Sequence, residues 1–180
     1  MNLARLILRA AGWSVEVTEP DVPRCVICVA PHTSNWDFIL CKLAYAAIGR
    51  RAGFLMKEQW FFWPLGPIFR AIGGIPVPRR RGGDGLTDAV VERFRSASRL
   101  HIAITPEGTR SLTTRWHTGF LRIARRAGVP VQLAVLDYGR RYIGITRSFT
   151  PTDDPEADLR AIKKYYRGVE ARYPGKFTVD

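Results

Sequence analysis

Alternating apolar strand-like runs and helical runs predict an α/β domain with a largely parallel central sheet flanked by helices. Three observations carry this. Short stretches such as residues 25–30 and 129–136 are almost continuously apolar, as strands covered on both faces are. Stretches between them, such as residues 84–100, place apolar residues at helical spacing. The 180 residues contain no linker, repeat or low-complexity segment, so residues 1–180 read as one domain, long enough for a real core.

The elements follow in order. Leu3, Leu6, Ile7 and Ala10 form one stripe of a short helix, with Arg5 and Arg9 beside it. Within residues 1–12 this amphipathic pattern suits a membrane surface, and it also suits packing on the domain. Residues 25–30 read as a buried strand, 38–49 as a helix and 54–56 as a second strand. Residues 60–72 mix aromatics with Pro64 and Pro67 and read as a broken helix or a packed loop. Residues 74–77 form a third strand, and 79–85 a mobile, basic, glycine-rich loop. Leu86, Val90, Phe94 and Ala97 mark a helix over 84–100. Strands are expected at 101–105, 129–136 and 142–149, with helices at 120–127 and 154–172.

Charge narrows the function classes. With 28 Lys+Arg against 16 Asp+Glu, the chain carries a formal +12 and calls for an anionic partner. That partner is a phosphate-bearing substrate, an acidic lipid surface or a nucleic acid. No stretch reaches the roughly 20 apolar residues of a spanning helix. The N-terminus is too short and too broken by arginine for a secretory leader, so a cytosolic or membrane-surface protein is expected. Cys25 and Cys28 lie at odd spacing in a strand, on opposite faces, and so cannot share a metal or a disulfide. They read as buried structural cysteines.

The most informative stretch is Pro31-His32-Thr33-Ser34-Asn35-Trp36-Asp37, where a strand gives way to a helix. Five residues apart on one helix, His32 and Asp37 would point about 140° away from each other. They meet only if His32 lies in the turn and Asp37 in the first helical turn, which Pro31 and the capping residues Ser34 and Asn35 favour. A carboxylate on one ring nitrogen sets the tautomer and leaves the other nitrogen to take a proton. Help of that kind is worth about 10²–10⁴ in rate. The plain alternative is a Ser34-x-x-Asp37 capping box with His32 as an ordinary turn residue.

Three further segments bear on the choice. Thr105-Pro106-Glu107-Gly108-Thr109-Arg110-Ser111 follows a strand. Its backbone amides, hydroxyls and Arg110 suit an anionic group, or else it is a polar turn. Gly73-Gly74-Ile75-Pro76-Val77-Pro78-Arg79 ends in an arginine suited to phosphate, whereas Arg80 and Arg81 read as a solvated loop. Val129-Pro130-Val131-Gln132-Leu133 lines an apolar channel or belongs to the core. Ligands of parallel sheets sit beyond the carboxyl ends of the strands, and His32 and Glu107 both follow predicted strands.

In this order the segments resemble the glycerolipid acyltransferases, the lysophosphatidic acid (1-acylglycerol-3-phosphate) acyltransferase family. His32 and Asp37 match its His-x4-Asp motif, and residues 106–111 match its third block nearly letter for letter. Residues 74–79 resemble the second block and 129–131 the fourth, and Lys57 stands where a lysine precedes an aromatic, proline-containing stretch. Pro31 in place of asparagine and Leu133 in place of a second proline depart from the pattern.

The resemblance implies direct acyl transfer, with no metal or other cofactor, from acyl-CoA or acyl carrier protein to a hydroxyl of a lysolipid. His32 is the implied general base and Asp37 its orienting group. Glu107, Gly108, Thr109, Arg110, Ser111 and Lys57 are the implied acceptor-binding residues, with Arg79 holding the phosphate; Glu107 alternatively braces the loop. Members of the superfamily also acylate amino-acid lipids and glycans. Trp60, Phe61, Phe62 and Trp63 beside basic residues suit a bilayer interface as well as a core. A peripheral protein on the anionic, cytoplasmic face of the cell membrane is therefore expected.

Rival classes find less support. A nucleic-acid module has the charge but no dense basic stripe or recognition motif, so no nucleic-acid partner is expected, and the intact His32 and Asp37 weigh against a lipid-binding relative without catalysis. A thioesterase would need a Gly-x-Ser-x-Gly elbow or a paired nucleophilic cysteine, and Cys41 lies in an apolar helical run instead.

Overall fold

The computed structural model describes residues 2–77 and 83–180. Its strands are β1 (Ser14–Val17), β2 (Arg24–Ala30), β3 (Gly53–Lys57), β4 (Gly74–Val77), β5 (Leu100–Ile104), β6 (Val131–Asp137) and β7 (Tyr142–Phe149). The helices are α1 (Leu3–Ala10), α2 (Asn35–Ala47), α3 (Leu65–Ala71), α4 (Gly83–Ser96), α5 (Gly119–Ala127) and α6 (Pro155–Tyr165). One sheet runs in the order β1-β7-β6-β2-β5-β3-β4, and every pairing is parallel except the antiparallel β6–β7 hairpin. This is the α/β domain expected, with a mostly parallel sheet between two layers of helices.

Strand parity divides the core. Val26, Cys28 and Ala30 of β2 pack with Phe94 of α4, Phe120 and Ala124 of α5 and Ile162 of α6. Cys25, Ile27 and Val29 face the other way, onto Cys41, Tyr45 and Ile48 of the α2 layer. The two cysteines thus lie on opposite faces. Burial pushes the thiols of Cys25, Cys28 and Cys41 up to about 12, which keeps them protonated and inert. Fully covered side chains such as Phe94 and Phe120 each contribute about 1.5–3 kcal/mol of apolar burial.

The α2 layer is thin. On this face α1 packs on α2, with Leu8 set against Ala44 and Ala47 and Asn2 Nδ2 donating to the carbonyls of Ala46 and Ala47. At the amino ends of the strands a polar clamp holds α2 down: Tyr45 Oη lies 2.9 Å from His101 Nδ1, and His101 Nε2 lies 2.7 Å from the Val22 carbonyl.

Three elements depart from expectation. The four-residue edge strand β1 has only two part-covered positions, too short a signal to be read as a strand. The last helix stops at Tyr165, not at 172, because the chain turns at Gly168 with φ +75°. Of the expected loop over 79–85, residues 79–82 lie outside the described residues, and α4 begins at Gly83. Residues 60–72 resolve into the end of a 3₁₀ turn (Glu58–Trp60) and the short helix α3, with Pro67 in its first turn.

Candidate active site

The site stands at the carboxyl ends of β2, β5 and β6. Here β2 ends, the chain passes through a cis Ala30–Pro31 bond, and α2 begins with Ser34 as its N-cap. Ser34 Oγ accepts the Trp36 N–H at 3.1 Å, and Asp37 returns the capping box by accepting the Ser34 N–H at 2.7 Å. The same Asp37 Oδ2 accepts the Thr33 N–H at 2.7 Å and lies 3.5 Å from His32 Nδ1. The capping box and the His–Asp pair are therefore one arrangement rather than alternatives. One carboxylate starts the helix and faces the imidazole.

A second carboxylate completes the pinning. Glu107, after β5, is only 3 % exposed, and both its oxygens accept the His32 N–H, at 3.0 and 3.2 Å. Three consecutive amides, those of His32, Thr33 and Ser34, are thus consumed by Glu107 and Asp37. Glu107 braces the histidine's backbone from inside the protein rather than standing at the surface with Arg110.

The two carboxyls are tuned in opposite directions. Burial pushes Asp37 up, but hydrogen bonds from His32, Tyr138, Ser34 and Thr33 outweigh it and hold the carboxyl below its ordinary range. Burial lifts Glu107 to about 7, with the His32 N–H only partly offsetting it.

The other predicted residues take several places. Gly108 adopts φ +65°, and a Cβ there would come within 2.8 Å of the His117 ring, so glycine is required. Thr109 Oγ1 accepts the Ser111 N–H at 3.2 Å. Arg110 donates to Asn35 Oδ1 at the start of α2, which ties the third block to the first. Lys57 is exposed at the end of β3. Arg79, with Arg80 and Arg81, lies outside the described residues. The fourth block is core: Val129, Val131 and Leu133 pack among α4–α6, on the face away from the cavity described next.

Behind His32 lies an apolar cavity of about 310 Å³ between α2 and the sheet. His32, 22 % exposed at its side chain, and Asp37 line it at the carboxyl end of the sheet. Val29, Ala134 and Cys41 form its walls, and Tyr45 and Ile48 lie at the opposite end. Along α2 the span from Asp37 to Ile48 is about 16 Å.

Residues not anticipated also meet here. The Tyr138 hydroxyl donates to Asp37 Oδ1 at 2.7 Å, and the Tyr173 N–H donates to Thr33 Oγ1 at 3.3 Å. The Arg172 guanidinium lies 5.7–5.9 Å from the ring centres of Trp36, Tyr138 and Tyr173. Tyr138 was within reach of sequence reasoning, since it too follows the carboxyl end of a strand. Arg172 and Tyr173 were not: the first falls within the helix expected over 154–172, the second just after it, and no local pattern marks either.

The site thus sets an imidazole and a carboxylate side by side at one end of a mostly apolar cavity. The protein-family model described as Acyltransferase matches residues 14–136, and the chain belongs to that acyltransferase family. Among solved structures, the crystal structure of the 1-acyl-sn-glycerophosphate (LPA) acyltransferase PlsC from Thermotoga maritima is similar at a TM-score of 0.54 and 18% identity. That similarity covers 93% of this chain and 78% of the other, and it shows the same fold. Comparison with curated proteins finds no match.

Proposed function

We propose that this acyltransferase moves a fatty acyl group from a thioester, acyl-CoA or acyl carrier protein, to a hydroxyl of a lysophospholipid such as 1-acylglycerol-3-phosphate. The observation that carries this reading is the position of the His32–Asp37 pair at the head of the apolar cavity. The acyl chain lies in the cavity with its carbonyl beside His32. Nδ1–H of His32 points to Asp37, and Nε2 takes the acceptor's hydroxyl proton as its oxygen attacks the thioester carbonyl. The C–S bond breaks, the C–O ester forms, and the thiolate takes the proton from His32. Asp37 offsets the imidazolium charge in between. Arg110, Thr109, Ser111, Lys57 and Arg79 are the groups we assign to the anionic acceptor, while Glu107 holds the loop that carries His32.

The test offers long-chain acyl-CoA with a panel of lysophospholipids and other hydroxyl acceptors, following thiol release and product mass. Wild type forms ester in step with thiol, and His32→Ala loses about 10²–10⁴ in rate. Equal transfer by a folded His32→Ala protein would falsify the mechanism. Thiol release without an acceptor would point to a hydrolase.

The setting is a lipid surface. Among the described residues no helix is long and apolar enough to cross a membrane. Trp60, Phe62 and Trp63 follow the carboxyl end of β3, at the active-site end of the sheet, and Trp63 is 84 % exposed. Trp36 and Ile39 near the start of α2 are exposed at the same end. These rings, with the +12 charge, support peripheral attachment to an anionic membrane, at its cytoplasmic face.

A further inference from the structure

The two oxygens of Asp37 do different work. Oδ2 takes the Thr33 and Ser34 amides and faces His32, whereas Oδ1 takes the Tyr138 hydroxyl. Asp37 is 1 % exposed, and its donors come from the protein. Tyr138 sits in the turn between β6 and β7, beyond the residues 14–136 that the family model matches and in none of the four blocks.

Packing sets the place of this phenol without help from its hydroxyl. Its ring stands edge-on to Trp13 at 5.0 Å, Arg172 Cζ lies 5.9 Å from its centre, and its backbone N–H donates to the Glu170 carbonyl at 2.9 Å. Burial and the bond to Asp37 hold the hydroxyl above the ordinary tyrosine range although Arg172 pulls it down, so it stays a donor at neutral pH.

A carboxylate held through one oxygen retains some rotation about Cβ–Cγ, and rotation carries Oδ2 out of line with the imidazole. One held through both oxygens does not rotate. We propose that Tyr138 is a positioning residue for acyl transfer: its hydroxyl locks Asp37 so that Oδ2 keeps His32 in the tautomer whose Nε2 is free to take a proton. This rests on the reading of His32 as the general base.

Tyr138→Phe in the full chain removes the donor and keeps the ring. With acyl-CoA and lysophospholipid, kcat falls about tenfold, a part of the 10²–10⁴ that general-base help supplies. KM values stay within about twofold, because binding is untouched. In ¹⁵N-histidine-labelled protein the His32 Nδ1 proton, assigned by its loss in His32→Ala, shifts and broadens in Tyr138→Phe. A merely structural role would lower the melting temperature and leave that resonance in place. An unchanged kcat with an unmoved resonance overturns the inference. If His32→Ala itself transfers acyl groups at the wild-type rate, the reading beneath it falls instead. Should Tyr138→Phe not fold, Tyr138→Met fills the space without a donor. Failure of both to fold also overturns the inference, since a positioning role requires a fold that stands without the hydroxyl.

Discussion

At the scale of the residue, Asp37 and Glu107 divide one task by having opposite environments. Asp37 gathers four donors and stays ionised, whereas Glu107 has a single backbone N–H and is lifted to about 7. The sign of the second shift sets a stability window. Between pH 4.5 and about 7 the folded state binds more protons at Glu107 than the unfolded state, so stability falls as pH rises through that range. Glu107→Gln retains an acceptor for His32 N–H and removes the titration. Relative to wild type, the variant gains stability from pH 5 to pH 8, by an amount on the order of 3 kcal/mol at most. Parallel denaturant melts at the two pH values check this, and parallel wild-type and variant curves would contradict it. Gly108 permits a second test. Gly108→Ala forces a side chain into a left-handed backbone and against His117, at a cost of roughly 1–2 kcal/mol, read by thermal melting.

At the scale of the element, α2 begins with its cap and the carboxylate that faces His32, and along its length it forms one wall of the cavity. Ser34→Ala removes the acceptor for the Trp36 N–H and costs about 1 kcal/mol. That lowers the melting temperature by about 2–4 °C in a chain of this size. Activity falls further than stability alone predicts, because the same turn places Asp37. The cavity is a property of α2 and the sheet together. Ala134 of β6 lines it, and Ala134→Leu fills part of it. We expect the longest accepted acyl chain to shorten while shorter chains are transferred as before. Competition among an acyl-CoA length series measures the change, and an unchanged preference would remove the acyl chain from this cavity.

At the scale of the whole molecule, the exposed aromatic residues and the +12 charge bear on one prediction. The protein co-sediments with anionic vesicles, and salt reverses this because the attraction is screened beyond about 8–10 Å at physiological ionic strength. Trp63→Ser weakens binding without altering the fold, as its side chain is 84 % exposed. Equal binding to neutral vesicles would remove the electrostatic part of the argument.

Much of this was legible in the residues. Alternation of apolar runs determined the α/β class, because buried parallel strands and amphipathic helices leave different periods. The His-x4-Asp spacing and the Pro106–Arg110 run determined the candidate site, because a turn followed by a capped helix is a local event. Odd spacing separated Cys25 from Cys28 for the same local reason. Only the tertiary structure decided what Glu107 touches, since its partner lies 75 residues away in sequence. It alone brought Tyr138 to Asp37 across 101 residues, and Tyr173 to Thr33 across 140. Such contacts arise from strand order, which no local pattern contains. The sheet order sets β5 and β6 on either side of β2, so the loops that leave all three converge on the short turn that carries His32.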